Sequence, residues 1–100
     1  MMANDPNETF PVFIERRLKV QQLPDQAISD AVIEIGHPYW KEPGIEAACP
    51  VAIRGCVGRV NDILGIDPMS AMKQAIAFVE TYLDCPGGSM KFFWPSGEEY

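Results

Sequence analysis

The sequence predicts an α+β domain of two layers, in which one amphipathic helix covers an antiparallel sheet. Two stretches near the N-terminus alternate apolar and polar residues with a period of two, which is typical of half-buried strands. A later stretch that begins at Asp67 places its apolar residues at the spacing of an α-helix. The predicted order is β-β-β-α-β: a meander of three strands, one helix, and a fourth strand that returns to the sheet.

The first predicted strand runs from Phe10 to Val20. Its apolar face is expected to hold five side chains: Phe10, Val12, Ile14, Leu18 and Val20. Arg16 falls on that same face and interrupts it. Three explanations are open: a bulge turns Arg16 outward, its charge reaches past the end of the sheet, or it pairs with a carboxylate.

The second predicted strand, near Ile28 to Gly36, follows a turn at Leu23-Pro24-Asp25. Its buried face is expected to hold Ala31, Ile33 and Ile35. The third predicted strand spans about Ala48 to Gly55 and directs three side chains inward: Cys49, Val51 and Ile53. Pro50 has no amide hydrogen, so this strand is expected to lie at a sheet edge or to begin there.

The chain from His37 to Ala47 is predicted to be a loop, because Pro38, Pro43 and Gly44 break regular elements. The stretch from Cys56 to Ile66 is less regular. A short helical turn is favoured there by three apolar residues at helical spacing: Val60, Ile63 and Leu64.

The predicted helix begins at Asp67, a good N-cap, and Pro68 occupies the first helical position. Its apolar stripe consists of Met72, Ala75, Ile76, Val79 and Leu83, widened by Phe78 and Tyr82. Pro86-Gly87-Gly88 is expected to end the helix. The last strand is predicted at Met90 to Trp94, beside the first strand, so that the sheet order is 3-2-1-4.

The chain has 100 residues, of which 47% are hydrophobic and 22% are charged, as in an ordinary globular domain. Residues 1–8 are polar and lack apolar periodicity, so they are predicted to form a flexible N-terminal arm. Residues 9–100 are predicted to form one α+β domain.

Charge and hydropathy disfavour two classes of partner. Fourteen acidic residues against eight basic ones give a net charge of −6, which argues against a protein that grips nucleic-acid phosphates. No apolar stretch approaches the ~20 residues that span a bilayer, and no secretory signal is evident. Three cysteines without framework spacing favour reduced thiols in the cytoplasm. The acidity fits either solubility alone or attraction to a basic protein partner.

His37 is the single histidine, and it could serve as base to a thiol nucleophile at Cys49 or Cys56. No sequence signature surrounds any cysteine, however, and buried cysteines ordinarily act as small apolar residues. A zinc site is disfavoured because Cys49, Cys56, Cys85 and His37 lack the close pairs of structural zinc ligands. We therefore predict no catalytic, cofactor-binding or metal-binding residues.

The aromatic residues Tyr39 and Trp40 lie in a polar segment bracketed by prolines, with Glu42 and Glu46 close by. Large aromatics supply much of the binding energy at protein interfaces. These four residues are therefore predicted as candidates for partner binding, although Tyr39 and Trp40 could equally cover an open sheet edge. Trp94 is predicted to be part of the core.

Four short motifs carry a resemblance to a known family: Ile35-Gly36-x-Pro38, Cys49-Pro50-x-x-Ile53-x-Gly55, Gly65-Ile66-Asp67 and Ala71-Met72-x-x-Ala75. Together they resemble a group of small bacterial domains of unknown function, over about residues 13–83. The resemblance implies no established activity and supplies no catalytic residues. The matching positions indicate a strand-end glycine, a strand and a helix cap.

The first functional hypothesis is a non-catalytic, cytosolic protein-interaction domain, of which immunity or antitoxin-like proteins that neutralise a basic partner are one kind. The alternatives are a small-ligand-binding domain, with its pocket between helix and sheet, and a thiol-dependent enzyme. The sequence leaves the oligomeric state open, with a homodimer among the alternatives. It also leaves the biological process open.

Overall fold

The structure is a computed structural model, and it describes residues 5–23, 27–84 and 89–100. Eight strands and one helix occur within these residues. In chain order they are β1 (Val12–Gln22), β2 (Ala27–Gly36), β3 (Tyr39–Glu42), β4 (Glu46–Cys49), β5 (Val51–Arg54), β6 (Gly58–Arg59), β7 (Ile63–Gly65), α1 (Pro68–Asp84) and β8 (Met90–Phe93).

The strands form two sheets, and the α+β class is confirmed. The larger sheet has the order β6-β5-β2-β1-β8, and the smaller one has the order β3-β4-β7. The predicted meander corresponds to β1, β2 and β5, and the last strand lies antiparallel beside β1, so the predicted order 3-2-1-4 is present as β5-β2-β1-β8. The predicted number of four strands is wrong. The additional strands have two to four residues, too few to show a periodic pattern.

Pro50 divides the predicted third strand in two. β4 ends just before Pro50 and belongs to the smaller sheet, whereas β5 begins just after it and belongs to the larger sheet. Six side chains around the proline are completely buried: Ala47, Ala48, Cys49, Val51, Ala52 and Ile53. The chain therefore passes through the centre of the core as it moves from one sheet to the other.

Two predicted irregular segments contain strands instead. The predicted loop from His37 to Ala47 includes β3 and the start of β4, joined by a turn with Gly44 at a φ of 75°. The predicted helical turn between Cys56 and Ile66 is also wrong, because β6 and β7 occupy that stretch. In both cases pairing with a neighbouring strand decides the conformation.

The long β1–β2 hairpin is only partly covered. Leu18 and Val20 are buried as predicted, and so are Ala31, Ile33 and Ile35 on β2. The first part of β1 differs from the prediction, since Val12 and Ile14 are 39% and 43% exposed. The physical reason is that β8 pairs with β1 only from Lys19 to Gln22, so the strand extends beyond its neighbour.

The bulge that the sequence offered as one explanation for Arg16 is not present at that residue. The register shift in β1 lies between Val12 and Ile14, and Arg16 stays opposite Ile33. Its Nη1 donates a hydrogen bond of 2.7 Å to the hydroxyl of Tyr100. Its guanidinium carbon lies 5.5 Å from the ring centre of Trp94. Trp94 is 40% exposed, so its predicted core position is wrong.

The helix begins as predicted. The amide of Ser70 donates a 2.7 Å hydrogen bond to Oδ1 of Asp67, which confirms the N-cap. The buried row of the helix is Ala71, Ala75, Val79 and Leu83. Ile76 is 40% exposed, so its predicted burial is wrong; it lies beside this row rather than on it. The predicted stop at Pro86–Gly88 lies outside the described residues.

The start of α1 packs directly on β7. A Cβ atom at Gly65 would lie 2.3 Å from the backbone nitrogen of Ala71, closer than any carbon can approach. Glycine is therefore required at position 65 by the contact between strand and helix.

The end of the predicted N-terminal arm contacts the larger sheet. The amide of Arg59 donates to the carbonyl of Pro6 (3.0 Å), and Nη2 of Arg54 donates to the carbonyl of Glu8 (2.6 Å). Residues 1–4 lie outside the described residues, so the flexibility of the arm stays a prediction. No helix in the described part of the chain is long and apolar enough to cross a membrane.

Two isoleucine substitutions test the buried face. Ile53 is completely buried and Ile76 is 40% exposed. We expect Ile53→Ala to lower the free energy of unfolding by about 2–5 kcal/mol, because it leaves a cavity. Ile76→Ala should lower the free energy of unfolding by less than half of that amount. Urea denaturation measures both, and equal costs would contradict this packing.

A glycine pair tests the contact between β7 and α1. Gly65→Ala should lower the free energy of unfolding by about 3 kcal/mol, because the added methyl forces strand and helix apart. Gly44→Ala is the control, since nothing lies within 4 Å of its Cβ position and only its positive φ resists the change. The control should cost about 1–2 kcal/mol. A smaller effect at Gly65 than at Gly44 would refute the close contact.

Candidate interaction surface

The four predicted partner-binding residues lie on the β3–β4 hairpin at the edge of the smaller sheet. Tyr39 and Trp40 are 43% and 42% exposed. Tyr39 pairs with Ala48 and Trp40 with Ala47, so the two aromatic side chains occupy opposite faces of the sheet. They therefore do not form one continuous aromatic surface.

Tyr39 has a structural partner. Its hydroxyl donates a hydrogen bond to Oδ2 of Asp62, in the connection between β6 and β7. This hydrogen bond, together with desolvation and the charge of Asp62, raises the pKa of Tyr39 to about 12. The neutral hydroxyl is thus the form that the fold stabilises, and it ties the hairpin to the β6–β7 connection.

Arg59 extends this contact into a polar cluster, which consists of Tyr39, Asp62, Arg59 and Glu8. Nη1 of Arg59 lies 2.7 Å from Oδ1 of Asp62, and Nε lies 3.1 Å from Oε1 of Glu8. Oδ1 of Asp62 is buried and accepts no well-aligned hydrogen bond, so its contact with Arg59 is ionic. The Arg59 side chain is only 8% exposed, and the ring centre of Phe10 lies 4.9 Å from its guanidinium carbon.

The polar cluster joins the two sheets, because Arg59 belongs to β6 and Tyr39 to β3. Both carboxylates of the cluster are paired with the same guanidinium. A general base needs a carboxylate that is free to accept a proton from a substrate. This geometry therefore favours a structural role for the cluster.

A broad groove of about 750 Å³ lies between β7 and α1. We call it the β7–α1 groove. Its lining is mostly apolar and includes Ile63, Ile66, Ala77 and Phe78, with Ile45 and Glu46 from the end of the hairpin. The groove is wide open to solvent, so it is shaped for a partner surface rather than for an enclosed small molecule.

Several large apolar side chains at this groove are exposed. Ile45 is 65% exposed, Ile66 is 76% exposed, and Met69 beside the lining residue Ser70 is 83% exposed. None of these residues stood out in the sequence. The available signal was that Ile66 and Met69 flank the helix cap but fall outside the apolar stripe of α1.

The acidic residues of the prediction are placed differently. Glu46 lines the β7–α1 groove, and its Oε1 lies 4.0 Å from Nζ of Lys41. Glu42 is exposed at the turn of the hairpin. No residue that lines the groove is basic. The groove thus contains one acidic side chain, Glu46, and the adjoining hairpin turn carries the second, Glu42.

The candidate thiols are placed in different environments. Cys49 is completely buried, and its Sγ lies 3.5 Å from the carbonyl oxygen of Gly36. Burial, with a smaller contribution from Asp62, raises the pKa of Cys49 to about 11. His37 is exposed and packs against the ring of Phe13, at 4.9 Å between centroids. Cys56 is half-buried, and Cys85 lies outside the described residues.

Comparison of the chain with protein-family models, with curated proteins and with solved structures gave no match. Within residues 5–23, 27–84 and 89–100, no group of three potential metal-ligating side chains could hold an ion.

The Tyr39–Asp62 contact can be tested with Tyr39→Phe, which should lower the free energy of unfolding by about 1–2 kcal/mol near pH 8. The pKa of Tyr39 is about 12 in the folded chain, against 10.0 for an unperturbed tyrosine. The stabilisation is thus complete below pH 10 and is lost as the pH rises towards 12.

Urea denaturation of wild type and Tyr39→Phe at several pH values measures this effect. The difference in unfolding free energy between the two proteins should shrink between about pH 10 and pH 12. A difference that does not depend on pH would argue against the hydrogen bond.

Proposed function

We propose that this chain is a non-catalytic protein-interaction domain that binds a basic protein through the β7–α1 groove and the adjoining β3–β4 hairpin. The observation that carries the proposal is the combination of an apolar groove of about 750 Å³ with exposed apolar side chains at its border. Exposed apolar patches of this kind mark interaction sites on soluble proteins.

Charge supports a basic partner. Glu46 lines the groove, Glu42 is exposed on the adjoining hairpin, and the chain carries a net charge of −6. An acidic rim around an apolar centre speeds encounter with a basic protein, while the apolar contact supplies most of the affinity. The partner is expected to present an apolar side chain surrounded by lysine or arginine. An immunity-like role is one way in which such a domain would act.

The environment of Cys49 weighs against a thiol-dependent enzyme that uses this cysteine, and the pockets beside α1 offer little enclosure for a small ligand. Cys49 is buried and its pKa is raised to about 11, whereas a nucleophilic cysteine needs an accessible thiolate. A small-ligand site is ordinarily a cleft of about 300–1,000 Å³ that encloses most of its ligand. The pocket between α1 and β1 measures only about 160 Å³. The pocket of about 400 Å³ between α1 and β8 and the β7–α1 groove are larger, but both are open to solvent.

Site-specific photocrosslinking in cells that naturally express the chain tests the proposal. A photoreactive phenylalanine analogue at Ile66, 76% exposed at the groove, should capture one basic protein. The same analogue at Ile28 is the control, because Ile28 is 60% exposed on β2 and does not line the groove. Equal capture at both positions, or capture of acidic proteins only, would refute the proposal.

The purified pair then allows a quantitative test. Ile66→Asp should weaken binding about tenfold or more, as expected for an apolar contact worth at least about 1.4 kcal/mol. Ile28→Asp should leave the affinity unchanged, and binding should weaken as salt is added. If Ile66→Asp binds with unchanged affinity while both variants are folded, the interface does not include the β7–α1 groove.

A further inference from the structure

The segment that precedes β1 is held against β6, which is the strand at one edge of the larger sheet. We call residues 5–10 the N-terminal strap. The carbonyl oxygen of Pro6 accepts hydrogen bonds from the amide of Arg59 and from Nη1 of Arg54, both at 3.0 Å. A Cβ atom at Gly58 would lie 2.5 Å from the same oxygen, so the strap lies directly on the backbone of β6.

The N-terminal strap also covers the side chain of Arg59. Oε1 of Glu8 lies 3.1 Å from Nε of Arg59, and the ring centre of Phe10 lies 4.9 Å from the guanidinium carbon. The Arg59 side chain is 8% exposed. Ion pairs are stronger where they are shielded from water than where both partners are exposed. The strength of the ion pair between Arg59 and Asp62 therefore depends on the cover that the strap provides.

Asp62 extends this dependence to β3. Its Oδ1 lies 2.7 Å from Nη1 of Arg59, and its Oδ2 accepts the hydrogen bond of Tyr39. All four residues of β3 are exposed, and within the described residues β3 pairs with β4 and with no other strand. Segments with so little burial open more readily than the core. The contact between Tyr39 and Asp62 therefore restrains a strand that has few other restraints.

We propose that the N-terminal strap and β3 are coupled through the polar cluster, so that release of the strap loosens β3. When the strap leaves, Arg59 loses Glu8 and Phe10 and becomes exposed to water. Its ion pair with Asp62 weakens, water competes for the Asp62 carboxylate, and the hydrogen bond from Tyr39 weakens in turn. The coupling also acts in reverse, because a coupling free energy between two sites is reciprocal.

The coupled strand adjoins the proposed binding surface. β3 leads into the turn before Ile45 and Glu46, which both line the β7–α1 groove. A docked strap thus holds this border of the groove in place, and a released strap lets it move. This consequence for binding rests on the function proposed above, whereas the coupling itself is a property of the free chain.

Amide hydrogen exchange, followed by NMR on the free full chain, tests the coupling. The amide of Arg59 reports on the strap, because it donates to the carbonyl of Pro6. The amides of β3 that bond to β4 report on β3. The amide of Ile53, which is completely buried, reports on global unfolding. Both reporters should exchange faster than Ile53, and exchange at the rate of Ile53 would overturn the proposal, because neither segment would then open locally.

Glu8→Ala tests the direction from strap to strand. It removes a carboxylate from Arg59 and should speed exchange at β3 about threefold, the effect expected of a partly exposed ion pair. Glu15→Ala is the matched control, because Glu15 forms an exposed ion pair with Arg17 at 2.9 Å outside the polar cluster. The control should leave exchange at β3 unchanged. Unaltered exchange at β3 in Glu8→Ala, or an equal effect of the control, would contradict the coupling.

Tyr39→Phe tests the reverse direction. It removes the hydroxyl that contacts Asp62, and it should speed exchange at the amide of Arg59 about threefold relative to wild type. Faster exchange at β3 with none at Arg59 would show a purely local contact and would overturn the proposal. The partner is absent from these experiments, so a failure of photocrosslinking at the groove and a failure of the coupling are separate results.

Discussion

The fold depends on the buried passage of the chain through Pro50. Ala47 to Cys49 and Val51 to Ile53 are inaccessible to solvent, and they belong to two different sheets. Pro50 cannot donate to a ladder, but its carbonyl accepts a 2.9 Å hydrogen bond from the amide of Gly36. One short segment thus forms the centre of the core and sets the position of both sheets relative to α1. The close contact of Gly65 with the start of the helix depends on this placement.

A polar contact holds the sheets together where the apolar core ends. Arg59 belongs to β6, its side chain is nearly buried, and its guanidinium forms ion pairs with both Asp62 and Glu8. A buried guanidinium needs such partners, because without them its charge would be buried and uncompensated. Tyr39 adds the link to β3 through Asp62. The aromatic residue that the sequence presented as a binding residue therefore also contributes to the architecture, and Trp40 on the opposite face is the freer of the two.

Two regions with exposed apolar side chains each have a structural cause. At the groove, α1 covers the smaller sheet only in part, so Ile45 and Ile66 remain outside the core. At the opposite region, β1 is longer than its neighbour β8, so Val12 and Ile14 extend beyond the sheet.

The sequence by itself determined the α+β class, the order of the long strands and the start of the helix. Period-two runs and the Asp67 cap are local signals, and long elements carry enough residues to display them. Only the tertiary structure decided the division at Pro50, the short strands β3, β6 and β7, and the exposure of Ile76 and Trp94. The β7–α1 groove and the polar cluster could not be predicted from the sequence either. They join residues distant in the chain, and burial depends on which surfaces other elements reach rather than on the local pattern.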